Sequence, residues 1–218
     1  MSSIKLKHSG GNSVSLNPPT SAPTSSDVAF KLPNADGSAN QVIKTDGSGN
    51  LSFVAQPTGG LSMVDMWHVT SQTTFQSETA AVNWGRSTGT IAGCGHIGSA
   101  MTNSGQYFTF PETGIYEIEY QTLAYTSAAE SRYIASFIYV TTDGSNYNKR
   151  ARGYAAVHQD SSQTTFSFGA KFIFDVTNIS THKVYFSNLA EATATLEFAD
   201  LTNDIIRSYA LFKKLGDT

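Results

Sequence analysis

The chain has 218 residues, a length that suits one large β domain or two small domains. Only 14% of its residues are charged, while Ser and Thr together supply about a quarter, a composition typical of strands and turns. At a net charge of −3 the chain lacks the clustered Lys and Arg that a nucleic-acid backbone requires, so we expect no nucleic-acid partner. The single cysteine, Cys94, excludes an internal disulfide and a multi-thiolate zinc site.

The first residues carry no apolar stretch of the kind that directs secretion, so we expect no signal peptide. No run of about 18 apolar residues occurs anywhere, so we expect no membrane insertion. Both absences favour a protein that is not routed through a secretory pathway.

The composition changes near residue 60. Five of the six prolines and seven of the 18 glycines fall within residues 1–60, but only two aromatic residues, Phe30 and Phe53, do. We therefore predict an N-terminal arm over residues 1–60, rich in Pro, Gly and Ser, and one domain with an aromatic core over residues 61–218.

The arm contains a short internal repeat. The segment 36–40, Asp-Gly-Ser-Ala-Asn, recurs at 46–50 as Asp-Gly-Ser-Gly-Asn, and β-rich runs follow the two copies at 41–45 and 51–54. Asp-Gly clusters between such runs predict hairpin strands joined by turns. The spacing is similar to the start of a calcium loop, but the acidic twelfth position is missing, so we expect turn chemistry and no metal.

Large apolar side chains are few in the arm. Their burial would not offset the conformational entropy that is lost when residues 1–60 become ordered. The arm is therefore either disordered or ordered by other chains, and we favour an extended, hairpin-containing arm that gains its order from neighbouring chains in an assembly.

The C-terminal domain has the sequence periodicity of strands. Aromatic residues alternate with polar ones over residues 164–176, and a similar alternation covers residues 114–121. Strict period two over such lengths predicts half-buried strands, and no segment shows a persuasive helical stripe. Further short apolar runs separated by turn signals complete the pattern of an all-β sandwich or jelly roll.

One spacing runs from Phe108 over five residues to Gly114 and continues with Tyr116, Ile118 and Tyr120. It resembles the core signature of complement C1q-like domains, with Ile118 where that family has phenylalanine. The closing segment, residues 208–216, is similar to the last strand of the same fold. The resemblance implies a C1q/TNF-like jelly roll that packs as a homotrimer. The residues that carry the signature are Phe108, Gly114, Tyr116, Ile118 and Tyr120.

Two parts of the arm, residues 31–37 and 41–53, carry a second likeness. They resemble a segment found in fibre and other virion proteins of bacteriophages, most of all those of marine and cyanobacterial phages. Residues 4–7 with 13–16 are similar to the virion-facing strands of those proteins. The resemblance implies synthesis in a host cytoplasm, incorporation into a phage particle, and an arm that docks on other virion structural proteins. The candidate anchoring side chains are those of Ile4, Leu6, Val14, Leu16, Phe30 and Leu32.

Catalysis finds little support in the sequence. The five histidines are dispersed, and no Gly-x-Ser-x-Gly nucleophile elbow occurs. Cys94 and His96 would share one strand face, but the sequence offers no orienting acid for them, and we expect Cys94 to be a small buried residue. Glu117 and Glu119 point to one strand face rather than across a cleft as in glycosidases. We predict no catalytic residue, no metal site and no cofactor.

The only basic cluster falls at residues 147–154, which we interpret as a loop flanked by tyrosines. Cations beside aromatic rings suit an acidic glycan or another acidic host-surface group, while the alternative is a solvated turn or an inter-subunit salt-bridge patch. The candidate ligand-contact residues are Tyr147, Lys149, Arg150, Arg152 and Tyr154.

These observations favour a non-enzymatic phage virion protein, a homotrimeric fibre or appendage with an exposed knob that contacts a glycan or protein of the host surface. One alternative is a capsid decoration protein that stabilises the shell. Another is a free C1q-like carbohydrate-binding module, and an enzyme such as a tail depolymerase is disfavoured.

Overall fold

The computed structural model describes residues 4–17, 19–23, 28–55, 60–158 and 162–218, except for the side chain of Val14. These residues form strands, turns and irregular segments and contain no helix, so none of them forms a helix that could cross a membrane. The predicted all-β class is thereby confirmed. The chain divides into two compact units, Met1–Gly59 and Gly60–Thr218, called the N-terminal and C-terminal units below.

The N-terminal unit contains two antiparallel hairpins. In the first, Ile4 lies opposite Leu16 and Leu6 opposite Val14, and in the second Gln41 lies opposite Ala55. The first hairpin consists of β1 (Ile4–Lys7) and β2 (Ser13–Leu16), and the second of β3 (Gln41–Thr45) and β4 (Leu51–Ala55).

The turn of the second hairpin is organised by Asp46. Its Oδ1 atom accepts hydrogen bonds from the backbone N–H groups of Ser48 and Asn50, at 2.8 and 3.1 Å. The side-chain amide of Asn50 donates to Oδ2 and lowers the pKa of this carboxyl, with help from the Ser48 backbone. The second copy of the Asp-Gly repeat thus forms a turn in which side-chain oxygens satisfy backbone donors.

The C-terminal unit is built from the remaining strands that the structure describes. They are β5 (Met63–Val69), β6 (Thr73–Phe75), β7 (Thr79–Ala80), β8 (Trp84–Arg86), β9 (Thr102–Ser104), β10 (Tyr107–Thr109), β11 (Gly114–Ser127), β12 (Ser131–Thr141), β13 (Asn148–Val157), β14 (Gln163–Val176), β15 (Lys183–Ala190), β16 (Ala194–Leu196) and β17 (Tyr209–Gly216).

These strands form two antiparallel sheets. The six-stranded sheet has the order β13-β12-β15-β10-β9, with β7 also paired to β15. The seven-stranded sheet has the order β6-β16-β11-β17-β5-β8, and β14 pairs along the whole length of β11. Strands that are far apart in the sequence, such as β11 and β17, are neighbours in one sheet. The strands between them in the sequence lie partly in the other sheet, so the chain crosses from sheet to sheet, as in a jelly roll.

The core lies between the two sheets and is mainly aromatic. Phe186 of β15 packs against Tyr120 of β11 and Trp84 of β8, with ring centroids 4.7 and 5.6 Å apart. Phe108 of β10 packs against Phe212 of β17 at 5.1 Å. These rings come from opposite sheets, so their burial holds the sandwich together.

Candidate functional site

The segment predicted as a basic loop is a strand, and this prediction was wrong. Of the residues in the predicted basic cluster, only Tyr147 precedes the strand. Residues 148–157 form β13 at the edge of the six-stranded sheet. The inward positions of β13 before its last residue, Val157, are taken by Ala151, Gly153 and Ala155, of which the two alanines pack against the core. Small residues give almost no hydrophobic periodicity, which is why the strand was not visible in the sequence.

A β-bulge in β13 brings its cations together. Ala151 lies opposite Ile138 of β12 and Lys149 lies opposite Tyr139, so Arg150 is an extra residue between two paired positions. A bulge of this kind re-aims side chains that would otherwise alternate across the sheet. As a result Lys149, Arg150 and Arg152 line one hollow of about 260 Å³.

The three cations of this hollow differ in their partners. The Lys149 ammonium lies 3.1 Å from Glu78 Oε2 and 3.6 Å from the centroid of the Phe137 ring. Among the described residues neither Arg150 nor Arg152 has a carboxylate partner. The Arg152 guanidinium instead lies 5.1 Å from the centroid of the Tyr154 ring. Two exposed guanidinium groups are therefore available to bind an anion.

Glu78 connects the hollow to a group of tyrosines. Its Oε1 atom accepts hydrogen bonds from the hydroxyls of Tyr139 and Ser187, the latter at 2.9 Å. Burial alone would raise the pKa of Glu78, but the hydrogen bonds from Tyr139, Ser187 and Lys149 together lower it. The carboxylate is therefore held charged beside Lys149.

Four tyrosine rings pack on the outer face of the six-stranded sheet, the face directed away from the other sheet. Tyr139 stacks on Tyr185 with centroids 4.7 Å apart, and Tyr107 stacks on Tyr147 at 5.1 Å. Burial raises the pKa of Tyr147 and of Tyr185 to about 12, with smaller contributions from neighbouring tyrosines. These rings form one aromatic cluster, and the Lys149 ammonium of the cationic hollow lies 5.4 Å from the centroid of its Tyr139 ring.

A larger cleft lies on the same sheet. It has a volume of about 580 Å³, within the range of small-molecule sites. Tyr154 is 53% exposed and Tyr133 is 39% exposed, so both rings are accessible to a ligand. The cleft is lined by Arg132, Tyr133, Tyr154, Ala155, Ala156 and Leu189.

The C1q-like signature residues lie in a different place, inside the sandwich. Phe108, Tyr116, Ile118 and Tyr120 are all fully buried. Gly114 begins β11 with a φ of 151°, and a β-carbon there would lie 2.7 Å from the carbonyl oxygen of Gly216. These residues contribute to the core within one chain and to the close approach of β11 and β17.

The candidate anchoring residues of the N-terminal unit lie on its surface. Those whose side chains the structure describes are exposed by 64% or more, a high value for apolar groups. They are Ile4, Leu6, Leu16, Phe30 and Leu32, while the side chain of Val14 lies outside the described residues.

The residues that were considered for catalysis or metal binding do not assemble into a catalytic site within the described part of the chain. Glu117 lies 2.9 Å from Lys213, and Glu119 lies 2.8 Å from Lys171, so each carboxylate is paired across the outer face of the seven-stranded sheet. Cys94 is half-buried in an irregular segment rather than buried on a strand, which corrects the expectation for it. No three His, Cys, Asp or Glu side chains of the described ranges converge on a possible metal position.

The sequence interpretation missed Glu78, Tyr133, Tyr139 and Tyr185. Glu78 and Tyr139 are separated by 61 residues along the chain, and only the sheet topology brings them together. An isolated glutamate in a polar segment carries no local signal of such a partner. The one local signal lies in β12, where Phe137 and Tyr139 are two residues apart and therefore share a face of the strand.

No family model matches the chain, and no curated protein is significantly similar to it in sequence. Among solved structures, the TNF protein Eiger from S. frugiperda superposes with a TM-score of 0.54 at 12% identity, covering 73% of this chain and 96% of Eiger. Murine APRIL at pH 5.0 gives 0.49 at 14% identity, covering 70% of this chain and 98% of its own. The vertex protein P5 of PRD1 gives a TM-score of 0.42 at 12% identity, covering 72% of this chain and 100% of P5. The likeness to Eiger, together with the two-sheet topology, confirms the predicted jelly-roll fold, which is similar to that of TNF proteins.

Proposed function

We propose that this chain is a non-enzymatic structural protein of a bacteriophage particle and that it assembles as a homotrimer. In this proposal residues 1–60 attach the protein to other virion proteins, and residues 61–218 form a projecting knob. The virion assignment is supported by the resemblance of the arm to phage fibre proteins. The homotrimer is supported by the TNF-type jelly roll of the C-terminal unit.

The observation that carries the proposal is the exposed apolar face of the first hairpin. Ile4 and Leu16 are directly opposite each other and are 65% and 66% exposed, and Leu6 on the same face is 64% exposed. Lys5 and Lys7 alternate with these residues and point to the other face. An isolated two-stranded hairpin is marginally stable in water, so this face requires a partner surface.

The hairpin is also suited to strand addition. Within the described residues β1 and β2 pair only with each other, so each has a second edge whose backbone groups are available. Pairing with a strand of another virion protein would satisfy these groups and would cover the apolar side chains at the same time. Main-chain hydrogen bonds would supply the affinity, and the leucine and isoleucine side chains would fix the register.

Two measurements test the proposal. Light scattering of the full chain is expected to give the mass of a trimer, and a monodisperse monomer would contradict the homotrimer. In particles assembled with the variant Ile4→Ser/Leu6→Ser/Leu16→Ser, incorporation is expected to fall at least tenfold. The matched control Lys5→Ser/Lys7→Ser changes the opposite face of the same strand and is expected to incorporate normally. Equal incorporation of the two variants would contradict the anchoring role.

A further inference from the structure

The two concave regions of the six-stranded sheet adjoin each other along β13 and are together called the groove below. Arg152 lines the smaller hollow and Tyr154 lines the larger cleft, and the guanidinium of the first lies 5.1 Å from the ring of the second. Both residues lie on the outer face, since Arg152 is opposite Phe137 and Tyr154 is opposite Ala135. The sheet therefore presents one groove that runs along β13 past its bulge.

The charge of this groove is positive although the chain as a whole is negative. Three of the 14 Lys and Arg residues of the chain occur within the four residues 149–152, whereas the formal net charge is −3. Lys149 is neutralised by Glu78, but Arg150 and Arg152 have no carboxylate partner among the described residues. A guanidinium binds a planar carboxylate through two parallel hydrogen bonds. Arg150 and Arg152 together therefore form a specific binding site for a carboxylate.

The aromatic part of the groove suits a ring that carries C–H groups. Tyr133 and Tyr154 are among the most exposed aromatic side chains of the C-terminal unit, and Ala155 and Ala156 leave the space between them open. A tyrosine offers a flat apolar face together with a hydroxyl that can exchange hydrogen bonds, a combination that matches a pyranose ring. Arg132 lies at the rim with its side chain 78% exposed, and it is already paired with Glu191.

We propose that this groove binds an acidic polysaccharide, with a uronate carboxylate on Arg150 and Arg152 and the sugar ring on Tyr154. The inference rests on the proposed function, because it names the class of host-surface molecule that a projecting knob would contact. Repetition of the groove in a trimer would convert weak single contacts into strong attachment. A protein ligand would instead require a large apolar centre, whereas the aliphatic lining of this cleft is limited to Ala155, Ala156 and Leu189.

The proposal is tested by calorimetric titration of the full-length protein with alginate oligosaccharides, which are polyuronates. Binding is expected for the unmodified protein, and Arg150→Gln/Arg152→Gln and Tyr154→Ala are each expected to weaken it at least tenfold. Lys171→Gln is the matched control, because it removes an exposed cation from the other sheet, and it is expected to bind like the unmodified protein. The melting temperature of each variant shows whether a loss of binding reflects unfolding.

Two further probes identify the chemistry that is recognised. Dextran, which is a neutral glucan, is expected not to bind. Inorganic polyphosphate is expected to bind less tightly than alginate and to be insensitive to Tyr154→Ala. Equal affinity for polyphosphate, or binding that survives the double arginine substitution, would overturn the proposal. Failure of alginate binding in a protein that is still trimeric and still enters particles would refute this inference and leave the proposed function standing.

Discussion

The backbone of Gly153 in β13 lies so close to that of Gly169 in β14 that a β-carbon on Gly153 would stand 2.0 Å from the Gly169 carbonyl oxygen. The two strands belong to different sheets, so this approach closes one side of the sandwich. A β-carbon on Gly169 would in turn meet the carbonyl oxygen of Tyr120 at 2.8 Å. Neither position accepts a side chain unless the backbones move apart.

The first prediction concerns this approach. Gly153→Ala is expected to lower the free energy of unfolding by about 3 kcal/mol, because overpacking here displaces backbone rather than a flexible side chain. Chemical denaturation of the full chain measures the change. Gly95→Ala is the matched control, since a β-carbon on Gly95 meets no atom within 4 Å. If the two variants were equally stable, β13 and β14 would not approach as described.

The second prediction concerns Asp65, a carboxylate that is completely buried on the inner side of β5. It accepts hydrogen bonds from the Arg86 Nε atom at 2.8 Å, the Trp67 Nε1 atom at 3.0 Å and the Met101 backbone at 2.9 Å. Asp65→Ala is expected to cost about 3 kcal/mol, because it leaves these donors without an acceptor in the core.

Glu117→Gln provides the comparison for Asp65, because it disrupts an ion pair on the outer face of the sheet. The pair with Lys213 is partly solvated, with both side chains more than 20% exposed, so its loss is expected to cost less than about 1 kcal/mol. Both variants are measured by the same urea titrations. A smaller effect for Asp65→Ala than for Glu117→Gln would show that the buried network does not stabilise the fold.

These examples also show how far the fold could be predicted from the sequence. The alternation in residues 164–176 predicted β14 correctly, because Phe168 and Phe174 are buried and Phe166 and Phe172 pack against the core. The strand β13 was missed, because all its inward residues before Val157 are alanine or glycine. Because β13 passes close to β14, it needs small residues such as Gly153 on its inner face. The small residues that allow this close approach also remove the hydrophobic pattern by which the strand could have been predicted.

The candidate site could be predicted only in part. Arg150, Arg152 and Tyr154 are close in sequence, and their charge and aromatic character were visible without a structure. The bulge that gathers them depends on the register between β13 and β12, and the cleft depends on residues from three strands. Register is set by the hydrophobic pattern and by the turn, and the small inward residues of β13 leave that pattern too weak to locate the bulge.

The third prediction concerns alkaline pH. Burial raises the pKa of Tyr116 and of Tyr120 to about 12, with a smaller contribution from Glu112 at Tyr116, against about 10 for an exposed tyrosine. Between pH 10 and 12 the unfolded chain therefore releases protons that the folded chain retains. Stability is expected to be unaffected by these groups below pH 10 and to fall above it, by about 1.4 kcal/mol per pH unit for each tyrosine.

Tyr120→Phe tests this dependence. The variant loses the hydrogen bond that the Asn188 amide donates to the tyrosine oxygen at 2.7 Å, so it is less stable at every pH. Its stability is nevertheless expected to fall less steeply between pH 10 and 12, as measured by urea unfolding. Phe186→Leu removes packing against the same ring without removing an ionisable group, and it is expected to keep the original slope. An unchanged slope in Tyr120→Phe would contradict the assignment.

The fourth prediction separates anchoring from folding. Phe30 and Leu32 are 65% and 78% exposed in the N-terminal unit, so they contribute little burial within the chain. Phe30→Ser/Leu32→Ser is expected to change the free energy of unfolding of the C-terminal unit by less than about 0.5 kcal/mol, as is usual for exposed positions. The same variant is expected to reduce incorporation into phage particles, because these side chains are proposed to be covered there by another virion protein. Calorimetric melting and particle incorporation are measured on the same preparation. A lower melting temperature with normal incorporation would show that the two residues stabilise this chain itself, and their assignment to an interface would then be wrong.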